Sequence, residues 1–280
     1  MNVRRTDDFI AQMIHPTAIV HPGAQLDASV EVGPYAVIDG EVSIGPDCRI
    51  GPFVYLTGQT TVGAGNRFYA GCVIGEAPQD VKYKDEPARL EIGAHNLFRE
   101  GFTAHRSAIA GQATVIGSHN FLMVNSHVGH NVRLGNHVIL ANGALLAGHV
   151  EVGDRAFISG NCTVHQFTRV GTLALMQGGA KISKDLPPFT IALGANRLAG
   201  LNIVGLRRAG FTSAERLELK KIYHQLFRRR GKFSDALAAA QKNFTSAHAR
   251  TLLDFAASSQ RGLCLDFREG GEDESEADID

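Results

Sequence analysis

The feature of this sequence that most restricts its fold is an apolar position that recurs every six residues. The register from Ile14 to Ile182 contains 29 positions, and 27 of them carry an apolar residue. Glycine often follows, as in Val152-Gly153. A period of six keeps no constant face on an α-helix, which has about 3.6 residues per turn. It predicts a parallel β-helix in which each hexad is one short strand with a tight turn and three hexads close one triangular coil.

The two polar residues in this register, Asp80 and Glu86, are neighbours in it. Both lie in one polar stretch, GEAPQDVKYKDEPARLEIG, at residues 75–93. One excursion of the chain from its coil explains both exceptions. Loops that protrude from a regular solenoid commonly carry function, so we interpret this stretch as part of a site.

The chain divides into four predicted parts. The register ends after Ile182, a Lys-Asp-Leu-Pro-Pro break follows at 184–188, and the apolar spacing becomes helical from about residue 203. We predict, in order, an N-terminal leader at 1–13, a β-helix domain at 14–190, an α-helical C-terminal domain at 191–268 and a disordered acidic tail at 269–280.

Helix ends are predicted from local signals. Ser213 and Ser234 precede helical stretches and are predicted N-caps, with Glu215 in the first turn of its helix. Gly231 follows a basic stretch and is a predicted C-cap.

Composition excludes several classes of protein. Lys plus Arg and Asp plus Glu both number 28, whereas a nucleic-acid-binding chain is usually basic. Neither a membrane helix of about 18 apolar residues nor a secretory signal is present, so we expect no stable membrane insertion. The four cysteines are widely spaced, which favours a reducing cytoplasm over a disulfide framework or a zinc knot.

Histidines are the candidate chemical groups of the repeat region. They recur at about one-coil intervals, at His105, His127, His130, His149 and His165. Acyl transfer from a thioester to an alcohol needs a general base that works near neutral pH, and histidine is suited to that role. The same reaction needs a donor for the oxyanion, and a backbone N–H at a glycine lets a substrate approach closely.

Several motifs together resemble one family of hexapeptide-repeat proteins. In chain order they are IHPTAIVHPGA (14–24), GEAPQDVKY (75–83), TAHRS (103–107), LMVNSHVGHN (122–131), LLAGHV (145–150), VHQF (164–167), DLPPF (185–189) and LNIVGLRRAGF (201–211). This order resembles the acyl-[acyl-carrier-protein]–UDP-N-acetylglucosamine O-acyltransferases, which catalyse the first step of lipid A biosynthesis. The resemblance covers about residues 13–262.

The resemblance implies a left-handed parallel β-helix of hexapeptide repeats followed by an α-helical C-terminal region. It also implies a homotrimer with active sites in the clefts between subunits. The donor is a 3-hydroxyacyl chain on acyl carrier protein, and the acceptor is the glucosamine 3-hydroxyl of UDP-N-acetylglucosamine. Neither a metal nor a dissociable cofactor is implied.

The same resemblance assigns roles to individual residues. His130 is the general base and Gly148 supplies the oxyanion N–H. Asp80 and Lys82 contact the sugar nucleotide, and Asn202 and Arg208 hold the donor arm or the uridine diphosphate. The full set of implied substrate-binding residues is Asp80, Lys82, His105, His127, His149, His165, Gln166, Asn202 and Arg208.

Three positions depart from the family pattern. Asn131 stands where Asp commonly follows the catalytic histidine, Val204 where Glu is usual, and Ala195-Asn196 where Asn-His is usual. An asparagine can orient an imidazole but supplies no charge. The departures leave the acyl chain length open and allow a second enzyme, an N-acyltransferase acting on an aminosugar nucleotide.

Two further alternatives are weaker. A non-catalytic trimeric assembly protein would not need the paired His127 and His130. Hexapeptide carbonic anhydrases bind zinc through histidines that include a pair five residues apart. Here His127 and His130 are three residues apart. The sequence therefore predicts no metal.

Overall fold

Short parallel strands, most of them two residues long, wind the chain into a β-helix. The computed structural model describes residues 13–228 and 231–266. Within them the chain passes in turn through three sheets, so that neighbouring strands of each sheet are one coil apart. The predicted leader, apart from Met13, and the predicted acidic tail lie outside the described residues.

The three sheets are called A, B and C. Sheet A contains β3 (Glu31–Val32), β6 (Arg49–Ile50), β9 (Arg67–Phe68), β12 (Leu97–Phe98), β15 (Phe121–Leu122), β18 (Ile139–Leu140), β21 (Phe157–Ile158), β24 (Leu175–Met176), β26 (Thr190–Leu193) and β27 (Arg197–Leu201). Sheet B contains β1 (Ile19–Val20), β4 (Val37–Ile38), β7 (Tyr55–Leu56), β10 (Val73–Glu76), β13 (Thr103–His105), β16 (His127–Val128), β19 (Leu145–Leu146), β22 (Thr163–Val164) and β25 (Lys181–Ile182). Sheet C contains β2 (Gln25–Leu26), β5 (Ser43–Ile44), β8 (Gln59–Val62), β11 (Arg89–Ile92), β14 (Ala113–Ile116), β17 (Arg133–Leu134), β20 (Glu151–Val152) and β23 (Arg169–Val170).

The apolar position of the hexad forms the core of the solenoid. In sheet B, Ile38 is in register with Leu56, and Leu56 with Ile74, so each side chain stacks on its counterpart in the next coil. All three are fully buried. Burying an aliphatic side chain of this size contributes about 1.5–3 kcal/mol, and the column repeats this on every coil. The predicted repeat is thereby confirmed.

The chain leaves the coil twice within the described residues, each time between sheet B and sheet C. Thr103 pairs with Val73 in the coil before it and with His127 in the coil after it, and both of these coils are longer than the regular three hexads. The first excursion is the predicted loop, at about 77–88. The second, at 106–112, was not predicted because Ala110 happens to keep the apolar register, although the structure exposes it.

The corner between sheets C and A is held by buried asparagines. Asn96 Nδ2 donates to Asn66 Oδ1 and to the Gly117 carbonyl, both at 2.9 Å. Asn96 Oδ1 accepts from the Asn120 backbone N–H at 2.8 Å. The Asn66 amide donates to carbonyls of its own coil and of the next one, and the Asn96 amide bonds Asn66 and the next coil, which ties successive corners together.

The C-terminal part joins the solenoid through a strand pair. β26 extends sheet A in parallel and β27 pairs with it antiparallel, so sheet A continues to Leu201, past the predicted boundary at 190. The helices follow as α1 (Ile203–Arg208), α2 (Ser213–Tyr223), α3 (Phe233–Asn243) and α4 (Ala247–Ala257), with a π-helical turn at His224–Arg228 after α2. None of these helices in the described chain has the length and apolar character needed to cross a bilayer.

Two of the predicted caps are wrong by one or two residues. Thr212, not Ser213, caps α2: its side chain accepts from the Glu215 N–H, and Glu215 returns a bond to the Thr212 N–H. Lys232, not Ser234, precedes α3, and it makes no side-chain cap bond. Gly231 follows the π-helical turn, with the undescribed residues 229–230 between them.

A buried ion pair fastens α4 to the solenoid. Arg169 Nη2 lies 2.8 Å from Asp185 Oδ2, and the Asp185 side chain is 1% exposed. The Arg169 guanidinium also covers the Phe255 ring at 4.3 Å and donates to Ser258 Oγ. One side chain of sheet C therefore positions the C-terminal helices against the coils.

Replacing Asn96 with Ala should destabilise the protein. The substitution leaves the Asn120 N–H and the Gly117 carbonyl buried without partners, which typically costs about 1–3 kcal/mol. Chemical denaturation should therefore give a lower midpoint than for the wild type. Asn243→Ala, at the exposed end of α3, is the control. Equal midpoints for the two variants would show that the corner asparagines do not stabilise the fold.

Candidate active site

The outward side of sheet B places the candidate side chains in one column. Parallel register sets Thr103 beside His127, His127 beside Leu145, and Leu145 beside Thr163. Lys181 continues the column on the next strand. Because the inward residue of each pair is held in the core, the outward residue has a fixed direction.

The corner between sheets B and C adds a second column next to the first. The His149 N–H donates to the His130 carbonyl at 2.9 Å, and the Phe167 N–H donates to the Gly148 carbonyl at 3.2 Å. The His130 and His149 rings meet edge to face, with centroids 5.2 Å apart. His149 in turn stacks on Phe167 at 4.4 Å.

An open cleft of ≈ 710 Å³ lies along these two columns. Six of the predicted site residues line it: His105, His127, His130, Gly148, His165 and Gln166. Further lining residues were not assigned to the site from the sequence, among them Leu145, Thr163, Lys181 and Ser183. Gln79 of the predicted loop and Ala195 and Asn196, where the sequence departs from the family pattern, also line the cleft. Following the register from His127 one coil at a time identifies Leu145, Thr163 and Lys181, so this signal was present in the sequence.

His130 and Gly148 are in direct contact at the floor of the cleft. A Cβ added to Gly148 would lie 2.5 Å from His130 Nε2, so only glycine leaves room for the imidazole. Among the described residues the Gly148 N–H has no hydrogen-bond partner. Pro34, Pro46 and Pro52 occupy the equivalent position of other corners, which shows that the β-helix does not require this N–H.

The imidazole of His130 is oriented by the residue that follows it. His130 Nδ1 lies 3.0 Å from Asn131 Oδ1, and the Asn131 side chain is buried. With Nδ1 engaged in this way, Nε2 is the ring nitrogen that faces Gly148 and the cleft.

His127 and His105 form a pair beside His130, in which His105 is buried and His127 is half-buried. His127 Nδ1 lies 2.7 Å from Thr103 Oγ1, and the two rings meet edge to face at 4.9 Å. Burial, followed by the nearby imidazoles of His105 and His130, lowers the pKa of His127 to about 4. Burial also lowers the pKa of His105. Both rings are therefore neutral at pH 7 and suited to hydrogen bonding rather than to ion pairing.

His149 has a lowered pKa as well. Its cause is first burial and then the neighbouring His130, opposed in part by the carboxylate of Asp80. Asp80 itself is held in the first excursion, where Asp80 Oδ1 accepts from the Lys82 N–H at 2.9 Å. The Lys82 side chain is exposed.

The first excursion is anchored to the solenoid next to the cleft. Arg106 Nη1 donates to the Gly75 carbonyl at 2.8 Å, and its Nε lies 3.3 Å from Tyr83 Oη. Gln79, in the same excursion, lines the cleft. The loop predicted from its polar composition therefore borders the histidines.

The remaining predicted residues lie further along the chain. His165 Nδ1 lies 3.4 Å from Arg261 Nη2, and Gln166 is exposed beside it. Asn202 is buried and caps α1: its Oδ1 accepts from the Gly205 N–H, and its Nδ2 donates to the Leu173 carbonyl. Arg208 is exposed at the end of α1. Neither Asn202 nor Arg208 lines this cleft within one chain.

The cleft histidines are not grouped as metal ligands. Over the parts of the chain that are described, no three His, Cys, Asp or Glu side chains are placed to hold one metal ion. The arrangement is instead an oriented imidazole packed against a glycine whose backbone N–H is unpaired in the described chain. It can remove a proton from a nucleophile and stabilise an oxyanion on the same side of the cleft.

Models of two protein families match the chain. The second domain of UDP-N-acetylglucosamine O-acyltransferases matches residues 185–264, and the bacterial transferase hexapeptide repeat matches residues 41–76 and 113–148.

Known proteins resemble the chain over most of its length. It is 43% identical to an acyl-[acyl-carrier-protein]–UDP-N-acetylglucosamine O-acyltransferase of Burkholderia lata, over 89% of this chain and 98% of that one. The Halorhodospira halophila protein of the same name is 44% identical, with the same coverage.

Solved structures share the fold. The UDP-N-acetylglucosamine acyltransferase of Bacteroides fragilis has a TM-score of 0.87 at 38% identity, covering 90% of this chain and 99% of that one. The Francisella novicida acyltransferase has a TM-score of 0.87 at 33% identity, covering 91% and 94%. These likenesses confirm the left-handed β-helix with a helical C-terminal region.

The pKa of His127 predicts a specific loss of stability in acid. Its folded-state pKa of about 4 lies below the ordinary value of 6.5, so between these pH values the unfolded chain binds a proton that the folded chain does not. Stability therefore falls as the pH drops through that window.

His127→Asn should reduce this acid sensitivity. We expect the apparent Tm of the variant to fall less than that of the wild type between about pH 7 and pH 4.5. His137→Asn, at an exposed corner position, is the control. A Tm change as large in His127→Asn as in the control would contradict a neutral, half-buried His127.

Proposed function

This chain belongs to the acyl-[acyl-carrier-protein]–UDP-N-acetylglucosamine O-acyltransferase family, and we propose that His130 and Gly148 carry out its reaction. The chain is an acyltransferase of the first step of lipid A biosynthesis. It moves a 3-hydroxyacyl chain from acyl carrier protein to the glucosamine 3-hydroxyl of UDP-N-acetylglucosamine.

The catalytic step follows from the His130–Gly148 contact. His130 Nε2 removes the proton of the glucosamine 3-hydroxyl as the oxygen attacks the thioester carbonyl carbon. The Gly148 N–H donates to the carbonyl oxygen as it becomes an oxyanion. The tetrahedral intermediate then loses the carrier thiolate, which takes the proton from the His130 imidazolium. The observation that carries this assignment is that Gly148, whose N–H is unpaired among the described residues, packs directly against the His130 imidazole.

Histidines of the cleft and charged side chains of the first excursion position the substrates. His127 and His149 flank His130 and donate or accept hydrogen bonds to the sugar, together with His105. Asp80 and Lys82 contact the sugar nucleotide from the first excursion. His165 and Gln166 lie along the cleft toward Ala195, where the acyl chain binds.

A homotrimer completes the site. From Leu97 to Leu175 the outward residues of sheet A are apolar, as are those of part of sheet B, whereas the last three strands of sheet C present charged residues. The outward residues concerned are Phe121, Ile139, Phe157 and Leu175 in sheet A, Val37, Tyr55, Val73 and Leu145 in sheet B, and Arg133, Glu151 and Arg169 in sheet C. The first three strands of sheet A instead carry Glu31, Arg49 and Arg67 outward. Apolar segments on two faces, beside a charged third face, favour a closed ring of three chains.

The interface between two chains gives Asn202 and Arg208 their role. Neither lines the cleft of its own chain, so we infer that a neighbouring copy presents α1 to it. The exposed Arg208 then holds the donor arm or the uridine diphosphate, and the buried Asn202 fixes α1 for that contact. The exposed Lys220 and Lys221 of α2 supply a basic face for the acidic carrier protein.

The four cysteines are buried as separate free thiols, which is consistent with a reducing cytoplasm.

The reaction can be tested directly with the full-length protein. Incubation with UDP-N-acetylglucosamine and a panel of 3-hydroxyacyl carrier proteins, followed by mass spectrometry, should give an ester-linked product. The same incubation with a 3-amino analogue of the sugar nucleotide tests the N-acyl alternative. Transfer to the amine alone would overturn the O-acyltransferase assignment.

Substitutions at His130 and Gly148 should each remove most of the activity. His130→Ala removes the base and should reduce kcat about 100- to 10,000-fold. Gly148→Ala drives a methyl group into the imidazole and should reduce kcat by at least ~100-fold.

Gly160→Ala is the matched control, because Gly160 occupies the same corner position and an added Cβ there meets only the Asn142 carbonyl, at 3.4 Å. Its kcat should stay within about twofold of the wild type, since this is an ordinary van der Waals contact. Near-normal turnover of His130→Ala would refute the general-base role.

Trimer formation is tested by light scattering. A chain of 30.1 kDa should give a particle of about three times that mass at micromolar concentration. A monomer at that concentration would contradict the shared cleft and the proposed roles of Asn202 and Arg208.

A further inference from the structure

The Asn131 side chain uses every hydrogen-bonding position that it has. Its Oδ1 accepts from the Ala108 N–H at 2.9 Å and lies 3.0 Å from His130 Nδ1. Its Nδ2 donates to Ser107 Oγ at 2.7 Å and faces Gln112 Oε1 at 3.4 Å. The residue is 8% exposed.

These contacts determine which way the amide points. The Ala108 backbone N–H can only donate, so the Asn131 atom that it meets is the oxygen. An amide oxygen can only accept, so His130 Nδ1, which faces the same oxygen, must carry a proton. A neutral imidazole has one N–H, and Nε2 therefore holds the free electron pair.

The second excursion supplies the groups that hold this amide. Ser107, Ala108 and Gln112 all belong to it, and we call these three residues with Asn131 the amide cradle. Ser107 Oγ donates to the Ile109 carbonyl at 3.2 Å and accepts from the Ile109 N–H at 3.0 Å, so its remaining lone pair accepts from the Asn131 Nδ2.

The backbone of Asn131 is fixed as well. Its φ is +59°, in the left-handed region that asparagine adopts more readily than most residues. Its N–H donates to the buried Thr114 Oγ1 at 2.7 Å. Side chain and main chain therefore both hold Asn131 Oδ1 in line with the His130 ring.

We propose that the amide cradle sets the tautomer of His130, with Asn131, Ser107 and Gln112 as positioning residues. This rests on the proposed role of His130 as the general base. When Nε2 takes the proton of the sugar hydroxyl, the proton on Nδ1 remains bound to Nδ1 and hydrogen-bonded to Asn131 Oδ1, because an amide oxygen is too weak a base to remove it. The amide cradle carries no charge, so it orients the His130 imidazole without pairing it with a carboxylate.

The groups around His130 do not supply that missing charge by direct contact. The imidazoles of His105, His127 and His149 are its titratable neighbours, and the carboxylates of Glu76 and Asp80 act on His105 and His149. In Asn131→Asp a carboxylate would meet Nδ1 directly and stabilise the imidazolium. The acid limb of the kcat/KM profile should then move to higher pH.

Nitrogen NMR of the intact protein labelled with ¹⁵N-histidine reads the tautomer directly. At a pH where His130 is neutral, the wild type should show protonated Nδ1 and unprotonated Nε2, with His130→Ala providing the assignment. Asn131→Asp should keep this tautomer, since a carboxylate oxygen also accepts from Nδ1. Asn131→Leu, which lacks the acceptor, should show a proton on Nε2.

Kinetics then separate positioning from folding. Asn131→Leu should lower kcat by about 10- to 100-fold with little change in KM, and Asn131→Asp should restore most of it. Ser107→Ala and Gln112→Ala should give smaller losses of kcat. Arg155→Leu, at an exposed corner residue with φ +58°, tests whether leucine in this backbone conformation is harmful in itself and should behave as the wild type.

The outcomes distinguish the two proposals. A proton on Nε2 of wild-type His130 would overturn the cradle, whether or not acyl transfer is observed. Unchanged kcat and tautomer in Asn131→Leu would overturn it as well. Protonated Nδ1 in a wild-type protein that transfers no acyl chain to the sugar nucleotide would leave the cradle intact and refute the proposed function.

Discussion

Register between successive coils is the constraint on which the rest of this protein depends. Each inward aliphatic side chain packs on its counterpart in the next coil, and the backbone hydrogen bonds of the parallel sheets fix the same spacing. A slip of one residue would turn the whole inward column to the surface. Because the core fixes that column, it fixes the outward column and the corners too, and His127, His130 and His149 come together although no turn or helix links them.

Much of this could be read from the sequence, since a column is a fixed spacing. The six-residue period predicts the coils, and the polar residues in register predict the first excursion. The second excursion was not predicted because Ala110 occupies the apolar position of the register. A small apolar residue is found both buried and exposed, so its identity does not show that the chain has left the coil. Helix ends were placed one or two residues late, since Thr212 and Ser213 are both capable caps and only the backbone geometry decides between them.

The hydrogen bonds of the site are the part that the sequence could not supply. That Asn131 follows His130 is visible in the chain, but the direction of its amide depends on an N–H of Ala108, in the preceding coil. Likewise, Asn202 was identified from a motif as a substrate-binding residue, yet within its own chain both ends of its side chain are used to hold α1. The six-residue register predicts which residues are neighbours along a column. Which side-chain atoms donate and which accept depends on the conformation of the loops between strands, which the register does not predict.

The cleft extends along the solenoid axis, from the strand of His105 to the strand pair that follows Lys181. Its length is therefore counted in strands, and adjacent strands of a sheet are about 4.8 Å apart. A protein of this architecture cannot lengthen its cleft by one residue, because a residue inserted within a strand would break the register of the core. Residues inserted between strands, as in the two excursions, leave the number of stacked strands unchanged. Gross changes in the size of the ligand accommodated come in whole-coil steps, and finer adjustment is left to the side chains at the closed end, such as Ala195 and Asn196.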